Sequence, residues 1–126
     1  MEQGIDFPIR SETELVKKTA CRLAQILDDD KIERRIKYIF VDHIPSNQPF
    51  LMPIKIIAEV VKRQMRPDLV LIVDGAHSLG SVSSIDLTGI DIFFANCHKW
   101  FCGPKGTGFL YRSEKSVKKI YFFIIN

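Results

Sequence analysis

Two stretches of the chain repeat apolar residues at the three- and four-residue spacing of an amphipathic helix. The first covers residues 12–27, where Ser11 is predicted to cap the helix N-terminus and Glu14 stands three positions later. The second begins at Pro53, a residue suited to the first turn of a helix, and Pro67 is expected to end it. The apolar stripes of the two helices are Leu15, Thr19, Leu23 and Ile26, and then Ile54, Ile57, Val61 and Met65.

Four further stretches have the composition of strands. Residues 35–44 are dense in β-branched and aromatic side chains, and residues 69–75, 90–96 and 106–112 are short, largely apolar runs. A run that is apolar on both faces, such as 69–75, is typical of a parallel strand buried between helices. Strands that alternate with helices predict an α/β fold with a mostly parallel sheet flanked by helices. Since no helix is predicted between the last two strands, one of them is expected to run antiparallel to its neighbour.

The overall composition is that of one soluble globular unit. Of 126 residues, 46% are hydrophobic and 26% are charged, and 18 basic against 15 acidic residues give a formal net charge of +3. Because the charges are interspersed, no nucleic acid is predicted as a partner. The three widely spaced cysteines suit reduced thiols, and the N-terminus lacks a secretory signal, so a cytoplasmic location is expected.

The C-terminal residues 121–125 form an apolar run that stops at Asn126. This run is too short to cross a bilayer, which needs about 20 apolar residues, so no membrane association is predicted. An uncovered apolar run at a terminus is an aggregation hazard, which indicates a truncated chain.

Polar side chains follow the predicted strands at the place where open parallel sheets bind ligands, beyond the carboxyl ends. Asp74 and His77 follow one buried strand, and His98 and Lys99 follow the next strand along the chain. If these strands are neighbours, the four side chains converge on one crevice. A lysine beside an imidazole and an indole is a candidate for Schiff-base chemistry. Pyridoxal phosphate requires a lysine for its aldehyde and a carboxylate for its ring nitrogen, so Lys99 and Asp74 together predict this cofactor.

Two segments resemble a known family. The segments "VDGAHSLG" (73–80) and "DLTGIDIFFANCHKWFCGPKGTGFLYR" (86–112) are similar to the cofactor core of class V aminotransferase-fold enzymes that use pyridoxal phosphate. The isopenicillin N epimerase-like branch is the most similar, and cysteine desulfurase-like enzymes share the fold. The resemblance implies the large domain of a fold type I pyridoxal phosphate-dependent transferase. Residues 1–126 would hold part of that domain, without its N-terminal part and without the small C-terminal domain.

The resemblance also implies a role for six residues. Lys99 would form the internal aldimine and move the proton at the α carbon of the substrate, and Asp74 would pair with the pyridine nitrogen. His77 would lie beside the phenolic oxygen of the ring, and Ala76 would pack under the ring. The two positions expected near the phosphate are Asn96 and His98.

The same residues also allow other interpretations. Asp74 fits a turn cap before Gly75, and His77 and His98 fit structural histidines. Ligand type allows a zinc site made of His43, His77, Cys97 and His98, although adjacent ligands rarely face one ion. The glycine-rich segment 103–108 lacks the spacing of a phosphate loop and is expected to permit a tight backbone. Four aromatic residues are assigned to the core or an interface: Phe93, Phe94, Trp100 and Phe101.

Two hypotheses about function follow. The first is a pyridoxal phosphate enzyme, homodimeric in its parent form, that acts through Lys99 on an amino acid or a sulfur-containing amino acid derivative. Transamination, epimerisation, desulfuration and elimination all stay open. The alternative is a truncated or non-catalytic chain that retains the fold without independent activity. The two hypotheses differ in whether the chain binds the cofactor.

Overall fold

The computed structural model describes residues 9–48 and 50–117. Its elements are α1 (Glu12–Asp29), β1 (Tyr38–Asp42), α2 (Ile54–Arg63), β2 (Val70–Asp74), β3 (Ile92–Asn96), β4 (Gly108–Arg112) and α3 (Glu114–Val117). The four strands form one sheet in the order β1-β2-β3-β4, in which β1, β2 and β3 are parallel and β4 is antiparallel to β3. The predicted α/β class, the mostly parallel sheet and the antiparallel strand are therefore confirmed.

The start of α1 follows the predicted capping pattern. The Glu14 backbone N–H donates to Ser11 Oγ at 3.1 Å, so Ser11 satisfies one of the free donors of the first turn. The Glu14 carboxylate in turn accepts from the Arg10 backbone N–H at 2.8 Å, which holds the pKa of Glu14 below its usual value. These two contacts fix where the helix begins.

The prediction of a strand over residues 35–44 was too long at both ends, since β1 covers only Tyr38–Asp42. The buried Asp30 carboxylate accepts the backbone N–H groups of Arg35 at 2.9 Å and Ile36 at 3.0 Å. Those two donors are therefore not available to a sheet ladder. Arg66, also buried, donates to Asp30 at 2.9 Å and holds the pKa of Asp30 below its usual value.

Helix α2 packs on one face of the sheet and forms the core with it. Alternate residues of each strand point to this face, because side chains along a strand alternate between its two sides. Helix α1 packs against α2 and adds to the same cluster. The cluster includes Leu27 of α1, Ile57 and Val61 of α2, Leu71 and Val73 of β2, and Phe93 and Ala95 of β3.

The prediction that Met65 belongs to the apolar stripe of α2 was wrong. The helix ends at Arg63, and Met65 adopts a left-handed φ of 49° with its side chain 88% exposed. A left-handed residue turns the chain away from the helix axis, so Met65 leaves the buried face one turn after Val61. Pro67 lies beyond this turn and does not itself end the helix.

The opposite face of the sheet is open among the described residues. Tyr38, Phe40 and Leu110 lie on it and are 61%, 59% and 54% exposed. The Phe40 and Phe94 rings lie side by side there, with centroids 6.0 Å apart. Among the described residues, helices therefore cover one face of the sheet and not both. None of the described helices has the length and the apolar character of a membrane span.

Candidate active site

The parallel strands end together at one edge of the sheet. Asp42, the last residue of β1, is in register with Asp74, the last residue of β2. The His43 backbone N–H donates to the Asp74 carbonyl at 2.8 Å, which extends this pairing by one residue. Asp74 is therefore held at the carboxyl end of the central part of the sheet, where open α/β sheets bind ligands.

A compact turn follows β2 and carries His77. The Ser78 and Leu79 backbone N–H groups both donate to the Gly75 carbonyl, at 2.8 and 3.3 Å. Asp74 Oδ1 accepts from the Ala76 backbone N–H at 2.8 Å. Asp74 is thus a turn cap, as the alternative interpretation predicted, but only one of its oxygens is used. Within residues 9–48 and 50–117, Oδ2 of the half-buried Asp74 makes no hydrogen bond.

The loop between β3 and β4 carries Lys99 and is closed by backbone hydrogen bonds. The Cys97 N–H donates to the Thr107 carbonyl at 3.1 Å, and the Gly103 N–H donates to the Cys97 carbonyl at 2.7 Å. Cys102 has a left-handed φ of 56°, which reverses the chain between these two bonds. Lys99 therefore projects from a tight, defined loop, and this agrees with the tight backbone expected of the glycine-rich segment.

The turn after β2 and the loop after β3 meet at His77. Lys99 Nζ lies 3.3 Å from His77 Nε2, and the Trp100 indole N–H donates to His77 Nδ1 at 3.3 Å. Trp100 is not part of the core of the described residues, since its side chain is 59% exposed and its indole N–H bonds to His77. The sequence signal for this contact was a tryptophan directly after Lys99, because the indole of tryptophan has one N–H group that can donate to an imidazole.

Two glycines allow the close approach of these segments. Gly80 has φ of 88°, and a Cβ atom there would lie 2.6 Å from the backbone carbon and oxygen of Trp100. A Cβ atom at Gly75 would lie 2.0 Å from Cζ of Phe93. Because neither glycine has a side chain, the turn packs directly on the Lys99 loop and on the core ring beneath it.

The structure does not bring the other predicted residues into this contact. Asn96 is half-buried at the end of β3, paired with Gly108 across the antiparallel ladder. His98 is exposed and makes no hydrogen bond with the described residues. Ala76 is half-buried and contributes only its backbone N–H to Asp74. Among the four side chains predicted to converge, the described residues show a direct contact between Lys99 and His77.

His43 occupies a different place from the other histidines. It is buried on the α2 side of the sheet, and its Nδ1 has no hydrogen-bond partner among the described residues. Burial holds the pKa of His43 below its usual value, so its neutral form is favoured. The described residues contain no group of three or more His, Cys, Asp or Glu side chains that is suited to a metal ion, so nothing supports the zinc alternative.

The family of the chain follows from comparison with known sequences. The sequence model of the family "Aminotransferase class-V" matches residues 12–123, which is most of the chain and includes both segments of the site. The chain belongs to the aminotransferase class-V family. The resemblance carried by the Asp74 and Lys99 segments is thereby confirmed.

Two relatives extend the comparison. A probable L-cysteine desulfhydrase of Arabidopsis thaliana is 30% identical over 118 residues, which cover 91% of this chain and 23% of the relative. An isopenicillin N epimerase of Streptomyces clavuligerus is 32% identical over 88 residues, which cover 68% of this chain and 21% of the relative. The chain thus spans less than a quarter of the length of these two relatives.

Solved structures of the same fold give a consistent result. A high-resolution structure described as SPT with a PLP internal aldimine matches with a TM-score of 0.52 at 20% identity, covering 82% of this chain and 26% of that chain. At this identity the likeness shows the fold alone. It confirms the pyridoxal phosphate enzyme fold for this class-V chain.

Proposed function

We propose that the chain is the cofactor-binding part of a pyridoxal phosphate enzyme of the aminotransferase class-V family. The observation that carries this proposal is the 3.3 Å contact between Lys99 Nζ and His77 Nε2. His77 lies three residues after Asp74 in the sequence. An amine, an imidazole and a carboxylate are thereby held on two short segments at the carboxyl edge of a parallel sheet. Pyridoxal phosphate takes a lysine for its aldehyde and a partner for its ring nitrogen from the protein, and Lys99 and Asp74 would supply these two groups.

The donor set fits the cofactor residue by residue. Lys99 offers an exposed amine, and Asp74 keeps one carboxylate oxygen without a partner among the described residues. His77 lies between them in the sequence and offers a ring N–H. When it is bound, pyridoxal phosphate supplies an aldehyde and an electron-accepting ring to the reaction. Lys99 would bind the aldehyde and move the proton at the α carbon of the substrate, while Asp74 would hold the ring nitrogen protonated.

The remaining three residues have weaker structural support. Ala76 lies two residues after Asp74 in the turn, where a small side chain leaves room for a flat ring. Asn96 is the last residue of β3 and His98 follows the strand, and the exposure of His98 leaves its ring available to a phosphate group. All three belong to the proposed cofactor site through their places in the family motif.

The proposed substrate is an amino acid or a sulfur-containing amino acid derivative. The names of the relatives support this class, since they include cysteine desulfhydrases and isopenicillin N epimerases. We further propose that residues 1–126 form part of the large domain of a homodimeric parent enzyme. A cytoplasmic location fits the three cysteines, all free: Cys21, Cys97 and Cys102.

A cofactor titration tests the proposal. The chain is titrated with pyridoxal phosphate, and the visible absorbance of the lysine adduct is followed for the parent chain, Lys99→Arg and Lys105→Arg. Lys105 is an exposed lysine of the same β3–β4 loop, so its variant is a matched control. The absorbance is expected in the parent and in Lys105→Arg and is expected to be lost in Lys99→Arg. A folded parent chain that gives no adduct would favour the non-catalytic alternative.

A further inference from the structure

A groove beside α2 has an apolar lining and a rim of lysines. Its volume of about 850 Å³ lies within the range of small-molecule sites. The apolar lining comes from α2, the segment before β3, and β4: Ala58, Val61, Leu87, Ile90 and Tyr111. We infer that this groove binds an aliphatic monocarboxylate, with the carboxylate at Lys62 and the aliphatic chain along the apolar lining.

The groove lies away from the candidate active site. Pro67 precedes β2 and Asp91 precedes β3, and both residues line the groove. The groove therefore reaches the starts of these two parallel strands. Asp74 and Lys99 lie beyond the other ends of the same strands and do not line it. The inference thus concerns a second site and does not depend on the cofactor.

The groove follows the axis of α2. Lys55, Glu59 and Lys62 line it at spacings of four and three residues, which places them on one side of the helix. At a rise of 1.5 Å per residue, Lys55 and Lys62 are about 10 Å apart along the axis. An extended aliphatic chain of medium length, such as that of octanoate, spans a comparable distance. The shape of the groove therefore suits an unbranched chain.

The charges of the groove favour an anion. Two charged residues of the lining, Arg66 and Asp91, are buried and already paired, with Asp30 at 2.9 Å and with Lys115 at 3.6 Å. The exposed charged residues of the lining are three lysines and one glutamate: Lys55, Glu59, Lys62 and Lys115. The rim therefore carries a positive excess, which attracts a carboxylate.

Lys62 is the lysine of this rim that is free to bind a ligand. Lys115 is held by its ion pair, as described above. Thr88 donates to Asp86 and Lys55 lies near it, and both interactions hold the pKa of Asp86 below its usual value, so Lys55 also has an acidic neighbour. Lys62 makes no hydrogen bond or ion pair within the described part of the chain. Its ammonium group is therefore available to a carboxylate.

Two further side chains suit a ligand that is apolar with one polar end. Met65 lines the groove at its end near Lys62, and its side chain is 88% exposed. An exposed methionine is a flexible apolar group that can pack on an aliphatic chain. The half-buried Tyr111 hydroxyl makes no hydrogen bond with the other described residues, so it offers a donor inside the groove.

Methionine methyl NMR of the 126-residue chain, titrated with octanoate, tests the inference. The chain has three methionines, and Met65 lines the groove, whereas Met52 lies in a different cleft at the start of α2. The Met65 methyl resonance is expected to shift along a saturable curve while that of Met52 stays in place. A saturable shift at Met52 alone, or no saturable shift at Met65, would overturn the inference.

The charge of Lys62 is tested by the Kd values that the same titration gives. Lys62→Glu is expected to raise the Kd for octanoate about fivefold, and Lys62→Arg to keep it near the parent value. Lys17→Glu makes the same charge change at an exposed position of α1 outside the groove and is the matched control. 1-Octanol, which lacks the charge, is expected to bind the parent and Lys62→Glu alike. Equal Kd values for Lys62→Glu and Lys17→Glu would overturn the inference.

A last variant separates the groove from the open face of the sheet. Phe40 is exposed on that face, which is also apolar. Phe40→Ser is expected to leave the Kd for octanoate unchanged. Weaker binding in Phe40→Ser would place the ligand on the open face and would also overturn the inference.

Discussion

Gly75 tests how the core supports the turn between Asp74 and His77. A Cβ atom at Gly75 would lie 2.0 Å from Cζ and 2.3 Å from Cε2 of Phe93. Carbon atoms in contact are normally about 3.5–4.0 Å apart, so the ring would have to move. Phe93 is 1% exposed, so its ring is enclosed by the core. We therefore expect Gly75→Ala to overpack the core and to lower the free energy of unfolding by about 1–3 kcal/mol.

A double-mutant cycle with Phe93→Leu measures this contact. Leucine lacks the Cζ and Cε atoms that the new methyl group would meet, so Gly75→Ala should cost less than about 1 kcal/mol in that background. The coupling energy between the two changes should then be about 1–2 kcal/mol. Urea unfolding followed by far-ultraviolet circular dichroism gives the four free energies. Fluorescence is a poor probe, because the single tryptophan, Trp100, is 59% exposed.

Gly106→Ala is the control for this cycle. Gly106 has a left-handed φ of 81°, unlike Gly75, and a Cβ atom there would meet nothing within 4 Å. The substitution should cost about 1–2 kcal/mol of backbone strain, and Phe93→Leu should leave that cost unchanged. If Gly75→Ala cost the same in both backgrounds, the close approach to Phe93 would not be the reason for glycine at position 75.

Three further predictions concern other parts of the chain. Burial lowers the pKa of His43, so the folded chain favours the neutral imidazole. The free energy of unfolding should therefore fall as the pH drops below 6.5, the ordinary pKa of histidine, and urea unfolding of His43→Leu should show a flatter pH dependence. Arg66→Leu leaves the buried Asp30 carboxylate without its charged partner and should clearly lower the urea concentration at the unfolding midpoint. Arg35→Ala removes an exposed ion pair with Glu33 and should change that midpoint little. Gly80→Ala combines a clash with a left-handed φ of 88° and should cost about 2 kcal/mol or more, with weaker pyridoxal phosphate binding in a cofactor titration.

Most of the fold could be predicted from local patterns. The spacing of apolar residues located both long helices, and the apolar runs located the four strands, because burial on one face imposes a period on the sequence. The strand start at Tyr38 was not predictable in this way. It depends on Asp30, the residue directly after α1, whose carboxylate takes the N–H groups of Arg35 and Ile36. Such side-chain capture of backbone donors leaves no trace in hydrophobic periodicity.

Part of the candidate site could be predicted from the order of the strands. Neighbouring parallel strands bring their carboxyl ends together, and so the approach of Lys99 to His77 follows from the order of the strands. The contact of Trp100 with His77 does not follow from strand order. It depends on the backbone contact between Gly80 and Trp100, which is a property of two loops packed on each other.

The most direct test of the account is the location of a reduced cofactor adduct. The chain is incubated with pyridoxal phosphate and reduced with borohydride, and its peptides are mapped by mass spectrometry. The account predicts one reduced pyridoxyl phosphate group per chain, on Lys99. Adducts spread over exposed lysines such as Lys105, with Lys99 not preferred, would contradict the claim that the segments of Asp74, His77 and Lys99 form one cofactor site.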